Sequence, residues 1–301
     1  ADRSHARLFD PDPHERKARS DDTVTPSKAQ LRGAIIMSNQ EEHRGKAALV
    51  TGGSRGIGRA IALALAARGM NVAICGRTED SLEATRRDIE ALGVNGWAIK
   101  ADVSRLEDIE AMINTVRAGA GRIDVLVNNA VTSTSAPFDE LTDDLFRYHI
   151  DVKLMAYIRI ARLVLDDMKQ RQAGRIINIG GMTARIVAPL RMTNGVVNAG
   201  VSNFTKQFAG YAARHNVTVN CIHPGYTLTD RMEAGFERAA KEEGISIEEL
   251  TARRTKDIPL GKLVAPEDLA AAAVFFCSEA AGMITGQCIA VDGGSGTGIN
   301  Y

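Results

Sequence analysis

A doubly wound α/β fold, with a parallel sheet of about seven strands flanked by helices, is predicted by two features of the chain. Short apolar runs alternate with stretches of helical composition from Lys46 onward, and a glycine-rich turn, Thr51–Gly58, joins the first run to the first helix. The runs are nearly continuous in apolar residues, as expected of strands covered on both faces. Right-handed crossovers then order them into one sheet.

The elements follow in sequence. Ala47–Val50 is the first strand and Arg59–Arg68 lies in the first helix, which ends near Gly69. Asn71–Cys75 is the second strand, Glu79–Leu92 a helix, Gly96–Lys100 the third strand and Leu106–Ala118 a helix. Val125–Val127 is a short fourth strand, and one long helical region runs from about Leu145 to Lys169. Arg175–Ile179, Val217–Ile222 and Cys288–Val291 complete the strands, with helices at Gly195–Ala213 and Pro266–Phe276.

Composition sets the outer bounds. A chain of 301 residues with 45% hydrophobic and 25% charged content can bury a substantial core in one domain or two. Its 37 basic and 37 acidic residues cancel, so no overall field draws it to nucleic acid or to an acidic membrane. Cys75, Cys221, Cys277 and Cys288 are widely scattered and read as small buried hydrophobes; no metal site is expected of them. There is neither an apolar run long enough to span a bilayer nor a signal-peptide core, so a cytoplasmic protein is expected. Residues 1–44 differ from the remainder in being rich in Asp, Arg, His, Ser and Pro. They read as an extension, flexible or packed on a neighbouring subunit, or as translated material upstream of Met37; residues 45–301 read as a single domain.

The turn carries the first chemistry. Gly52 suits a tight turn, Gly56 admits close approach of a pyrophosphate, and Gly58 permits close helix packing; Ser54, Arg55 and Ile57 complete the loop. The helix that follows offers unpaired N–H groups and a favourable dipole to phosphate charge. This is the pattern of a Rossmann-like dinucleotide site. The second strand ends in Cys75-Gly76-Arg77, where an acidic residue would hold a bare ribose hydroxyl. Arg77 and Arg55 instead offer cationic forks to a 2′-phosphate, which favours NADP over NAD.

Together with Thr51–Gly58, four further motifs occur in order: Asp102-Val103, Asn128-Asn129-Ala130, Pro224-Gly225 followed by Thr229, and Ile284–Gln287 through Val291–Gly294. On these residues the chain resembles the classical short-chain dehydrogenase/reductase family over about residues 46–294. The resemblance implies that Asp102 and Val103 flank the adenine and that Asn128 and Ala130 lie by the cofactor at the central sheet. It implies that Pro224, Gly225 and Thr229 contact the nicotinamide side and that residues 230–258 form a substrate lid. A solvated surface helix pair is the alternative for that segment. Val131 replaces the glycine usual after Asn-Asn-Ala. Self-association as a homodimer or homotetramer, through helices near residues 145–170 and 195–213, is implied as well.

The resemblance breaks at the chemical centre. Family members use a tyrosine and a lysine four residues apart, a serine after the fifth strand, and an upstream asparagine. Aligned on Arg175–Ile179, these positions hold Asn194, Asn198, Gly181 and Lys153, and no Tyr-x-x-x-Lys occurs anywhere in the chain. An amide cannot replace an ionisable phenol, and glycine has no hydroxyl. Lys153, Asn194, Asn198 and Tyr226 are the candidate catalytic residues: a cation, an amide pair able to bind a carbonyl, and a phenol after Pro224-Gly225. Thr183 could orient an oxygen or cap a loop, His223 reads as a structural histidine, and Arg185 and Arg191 could place a cation at the rim. His149 and Asp151 diverge on their helix and cannot both face Lys153.

Three functions fit this pattern. The first is an atypical NADP-linked oxidoreductase acting on a small carbonyl or alcohol substrate. The second keeps the fold for a non-redox elimination, hydration or ring opening. The third is a catalytically silent nucleotide-binding subunit.

Overall fold

The computed structural model describes residues 43–298, so the extension expected over 1–44 lies outside the described residues except for its last two positions. Seven strands form one parallel sheet: β1 (Ala47–Thr51), β2 (Asn71–Gly76), β3 (Gly96–Lys100), β4 (Val125–Asn128), β5 (Gly174–Ile179), β6 (Val217–Pro224) and β7 (Cys288–Val291). Their order is β3-β2-β1-β4-β5-β6-β7, and every pair is parallel. The chain runs outward from β1 to β3, returns to β4 beside β1, and then runs outward the other way. That reversal opens a crevice beyond the carboxyl ends of β1 and β4.

Helices cover both faces, and side chains alternate between them with the strand period of two. Ala48 and Val50 of β1 join Ile61, Leu65 and Phe276 beneath α1 (Gly56–Ala66), α2 (Glu79–Glu90) and α9 (Pro266–Cys277). Leu49 points the other way, into a core with Met112, Tyr157 and Val164. That core lies beneath α3 (Leu106–Ala120), α5 (Ala156–Arg171) and α6 (Met192–Ala212). Double-sided burial explains why the strands read as continuous apolar runs, each large side chain contributing about 2 kcal/mol when fully buried.

Two elements depart from the sequence expectation. The long helix expected over 145–169 is three pieces: α4 (Asp143–His149), a π-helical segment (Ile150–Met155) and α5. A wide turn inserts one extra residue, which turns the consecutive Val152 and Lys153 both inward at 7% and 5% exposure. The helix expected from Gly195 begins three residues earlier, at Met192. Residues 230–258 form α7 (Asp230–Glu243), capped by Thr229, and α8 (Ile247–Thr255), capped by Ser246. Among the described residues no helix is long and apolar enough to cross a membrane.

Candidate active site

Beyond β1 and β4 lies a cleft of about 880 Å³. Gly52, Ser54, Arg55, Gly56, Ile57 and Gly58 form its floor, Arg77 and Asp102 with Val103 one wall, and Ala130 and Thr229 the other. The turn is built by removing side chains. Gly52 and Gly56 take φ of +65° and +52°, where a side chain is strained. A Cβ on Gly58 would stand 2.2 Å from the Gly52 carbonyl oxygen and 2.4 Å from Asn129 Nδ2. The backbone preceding α1 at Arg55 is extended, and no side chain caps the helix. Its first N–H groups therefore face the cleft with the positive end of the helix dipole. Bare glycines and uncapped donors suit a pyrophosphate, so the residues present fit a dinucleotide.

The turn is anchored to β4. Thr51 Oγ1 accepts from Asn129 N at 2.9 Å and Ala130 N at 3.0 Å, while Asn129 Nδ2 donates to the carbonyls of Thr51 and Gly52. Asn128 is fully buried behind the cleft wall; its Nδ2 donates to Asn178 Oδ1, and Asn178 donates in turn to Thr205 Oγ1. Arg55 and Arg77 are exposed at the cleft mouth, with Arg77 also donating to Tyr148 Oη at 3.1 Å. Asp102 Oδ1 accepts from Ser104 N and Oγ, which fixes the loop after β3. Pro224 and Gly225 stand outside the cleft wall. Gly225 packs where a Cβ would meet Asp292 Cα at 2.6 Å, and Thr229 lies over the turn, its Cγ2 3.3 Å from a Cβ added at Gly56.

The other end of the crevice is built by interlocking side chains. Gly180 and Gly181 follow β5, and a Cβ on Gly180 would lie 2.4 Å from His223 Nδ1. On Gly181 it would lie 2.5 Å from Asn198 Nδ2. The φ of Gly181 is 177°, extended backbone open to any residue, so this glycine is required by space alone. Asn198, 5% exposed, fills that space; its Nδ2 donates to Thr183 Oγ1 at 2.8 Å and its Oδ1 has no partner among the described residues. Lys153 reaches the same loop from the π-helical segment, and its Nζ donates to the Gly180 carbonyl at 2.8 Å. Burial pushes the Lys153 ammonium down to about 8, partly opposed by the nearby Cys221 sulfur. Tyr157, wholly buried beside it, donates from its hydroxyl toward the Ile179 carbonyl, and burial raises its pKa well above the phenol range.

The four candidate catalytic residues do not converge on one point. Asn194 and Asn198 share a helix but not a direction: Asn194 bonds the loop after β4, accepting from Thr134 N and donating to the Thr132 carbonyl at the limits of hydrogen bonding. The expectation of an amide pair is therefore corrected, because each amide is claimed by a different loop. Tyr226 is 51% exposed and stands outside the cleft wall. His149 bonds Thr134 Oγ1 at 2.9 Å and Asp151 pairs with Arg159, so neither serves Lys153. His223 accepts from Gly181 N at 2.9 Å, in keeping with a structural role. Thr183 is the acceptor for Asn198, and Arg185 is held by the Cys288 carbonyl. Sequence reasoning missed Gly180, Tyr157 and the closeness of Cys221 to Cys288; the paired glycines after β5 were the available signal for the first.

A parallel sheet with a glycine turn beneath an uncapped helix at its switch point defines a dinucleotide-binding α/β protein. Comparison with known proteins narrows the class. The family profile described as Enoyl-(Acyl carrier protein) reductase matches residues 52–296. The NADPH-dependent reductase BacG of Bacillus subtilis is 34% identical over 252 residues, covering 83% of this chain and 97% of BacG. The 3-oxoacyl-[acyl-carrier-protein] reductase FabG of Vibrio harveyi is 36% identical, with the same coverages of 83% and 97%. The structure of L-sorbose reductase from Gluconobacter frateurii, complexed with NADPH and L-sorbose, superposes with a TM-score of 0.83 at 31% identity, covering 85% of this chain and 98% of that one. The chain belongs to the short-chain dehydrogenase/reductase family.

Proposed function

We propose that the chain is an NADPH-dependent reductase of a small carbonyl compound, working without the phenolic acid usual in its family. The observation that carries this reading is the contrast within one crevice: a complete dinucleotide cleft beside a loop whose Gly181 space is filled by the Asn198 amide. NADPH use is supported by Arg55 and Arg77 at the cleft mouth and by the NADPH named with relatives such as BacG. When bound, the cofactor supplies the hydride.

The chain's own residues bind and orient. The Thr51–Gly58 turn takes the pyrophosphate, α7 and α8 act as the lid, and Thr183, held in place by the buried Asn198 amide, orients the polar end of the substrate. Lys153 is a positioning residue: its Nζ fixes the Gly180 carbonyl and so the loop on which Asn198 rests. Neither amide yields a proton, so water protonates the product. That favours acceptors whose negative charge is spread on reduction, such as a carbonyl conjugated to a carbon–carbon double bond, over an isolated ketone. The family description as an enoyl reductase agrees with this preference. Self-association through α5 and α6 belongs to the same reading, with Val196 and Tyr211 exposed on α6 at 54% and 47%.

The test is a panel of conjugated enones and isolated ketones with NADPH, followed by nicotinamide absorbance and product mass together. Consumption of NADPH with an enone is the expected result. Product without loss of NADPH would assign a non-redox reaction. NADPH binding without turnover across the panel would assign a silent nucleotide-binding subunit.

A further inference from the structure

Cys221 and His223 lie two residues apart on one face of β6, and β7 sets Cys288 in register opposite Cys221. The two sulfurs and a ring nitrogen all lie within 4.8 Å of one another. Cys221 and His223 are wholly buried and Cys288 is partly exposed. A soft metal ion or thiol oxidation would each suit such a trio, and the imidazole decides between them. Gly181 N donates to Nδ1 at 2.9 Å, so a neutral ring carries its hydrogen on Nε2. Nε2 is the atom turned to Ser202 Oγ at 3.2 Å and to Cys221 Sγ at 3.9 Å. A metal would need the lone pair there and a hydrogen on Nδ1, setting two N–H groups against each other. The ring therefore turns an N–H rather than a lone pair toward the sulfurs, which suits thiol chemistry and not a metal ion.

We propose that Cys288 and Cys221 form an oxidisable pair, in which Cys288 attacks a hydroperoxide and Cys221 closes a disulfide between β7 and β6. The Cys288 thiolate attacks the peroxide; the O–O bond breaks, leaving a sulfenic acid on Cys288 and an alkoxide, or hydroxide from hydrogen peroxide, which takes back from solvent the proton that the Cys288 thiol gave up and leaves as an alcohol or water. The Cys221 sulfur then attacks the sulfenyl sulfur, the S–O bond breaks, and the departing hydroxide leaves as water with the Cys221 proton. Two thiols and one hydroperoxide thus become one disulfide, one alcohol and one water.

The division of roles follows the surroundings. A hydrogen bond from Cys221, with His223 and Arg185 adding to it, holds the Cys288 thiol well below the ordinary thiol value. The Cys288 thiolate and burial hold Cys221 well above it, so Cys221 keeps the proton the second step consumes. Neighbouring strands about 4.8 Å apart bring register partners within the Cα separation, about 4.4 to 6.8 Å, that a disulfide spans. His223 also joins this pair to Gly181, which places the bridge directly behind the substrate loop.

The reduced full-length protein treated with hydrogen peroxide should lose about 2 Da in intact mass, as two hydrogens leave. Peptide mapping should recover Cys221 linked to Cys288, and dithiothreitol should restore the thiols. Cys221→Ser should stop at a sulfenic acid on Cys288 that dimedone traps, and Cys288→Ser should give no bridge. Irreversible oxidation of Cys288 without a bridge, or prior oxidation of Cys75 or Cys277, would overturn the proposal. So would one equivalent of zinc retained through dialysis and lost in Cys288→Ser. The wild-type map decides the pairing even where a serine variant fails to fold.

Discussion

The two ends of the crevice solve the problem of close approach in opposite ways. At the phosphate end, Gly52 and Gly58 let backbone pack closely on its neighbours, Gly56 turns the chain at positive φ beneath Thr229, and the tight turn they form lines an open cleft. At the substrate end, Gly180 and Gly181 vacate space that the protein itself refills with His223 and Asn198. The same residue type therefore marks a binding surface in one place and an interlocked packing joint in the other. What lies opposite the glycine decides which, and that is a property of the fold.

Five substitutions, two of them combined, can break or sharpen the contrast. The largest effect is expected at the phosphate end, where Gly58→Val drives a branched side chain into the Gly52 carbonyl. Backbone on the far side cannot yield as a side chain does, so a loss of at least about 3 kcal/mol is expected by urea denaturation. A wild-type midpoint would remove the claim that this turn tolerates no Cβ.

Lys153 comes next. Its folded-state value of about 8 lies below its ordinary 10.5, so between these pH values the unfolded chain binds more protons than the folded one. Folding stability should rise with pH across that window by as much as about 3 kcal/mol, because each tenfold loss of proton affinity on folding corresponds to about 1.4 kcal/mol. Lys153→Met should lose this rise, so its stability relative to wild type should be greater below pH 8 than above pH 10. Parallel slopes in the two proteins would mean that Lys153 is solvated.

Smaller effects should separate the two kinds of glycine. Gly181→Ser meets the end of a side chain rather than backbone, so displacing Asn198 from Thr183 should cost about 1 kcal/mol. Combining it with Asn198→Ala should recover most of that loss, and purely additive losses would contradict the packing joint. Arg77→Ala should weaken NADPH binding roughly tenfold and leave NADH binding nearly unchanged, measured by fluorescence titration. Equal weakening of both would show that Arg77 acts only through Tyr148.

The strands were legible because covering both faces leaves an apolar signature that does not depend on which helix does the covering. Seven runs were found with ends within a residue or two of the observed strands. The phosphate turn was legible for a related reason: positive φ and close backbone approach are local demands that glycine meets at fixed spacing. The π-helical segment was not legible, since Ile150–Met155 has ordinary helical composition and its extra residue is set by how Val152 and Lys153 pack. Nor was the separation of Asn194 from Asn198. A spacing of four places both on one helical face, but Thr134 and Thr183, from different loops, draw the amides apart.

By itself the amino-acid sequence determined the layered α/β architecture, the glycine turn after the first strand and the side-chain chemistry carried at Lys153, Gly181, Asn194 and Asn198. Each depends on periodicity, on local backbone conformation or on the chemistry a side chain carries. Only the tertiary structure decided that Gly181 and Asn198 are complementary, that Lys153 is buried on the Gly180 carbonyl, and that Cys221, His223 and Cys288 meet. Those are contacts between segments far apart in the chain, brought together by parallel strand order and by helices that cross over the sheet. No local pattern encodes which side chain will stand opposite which.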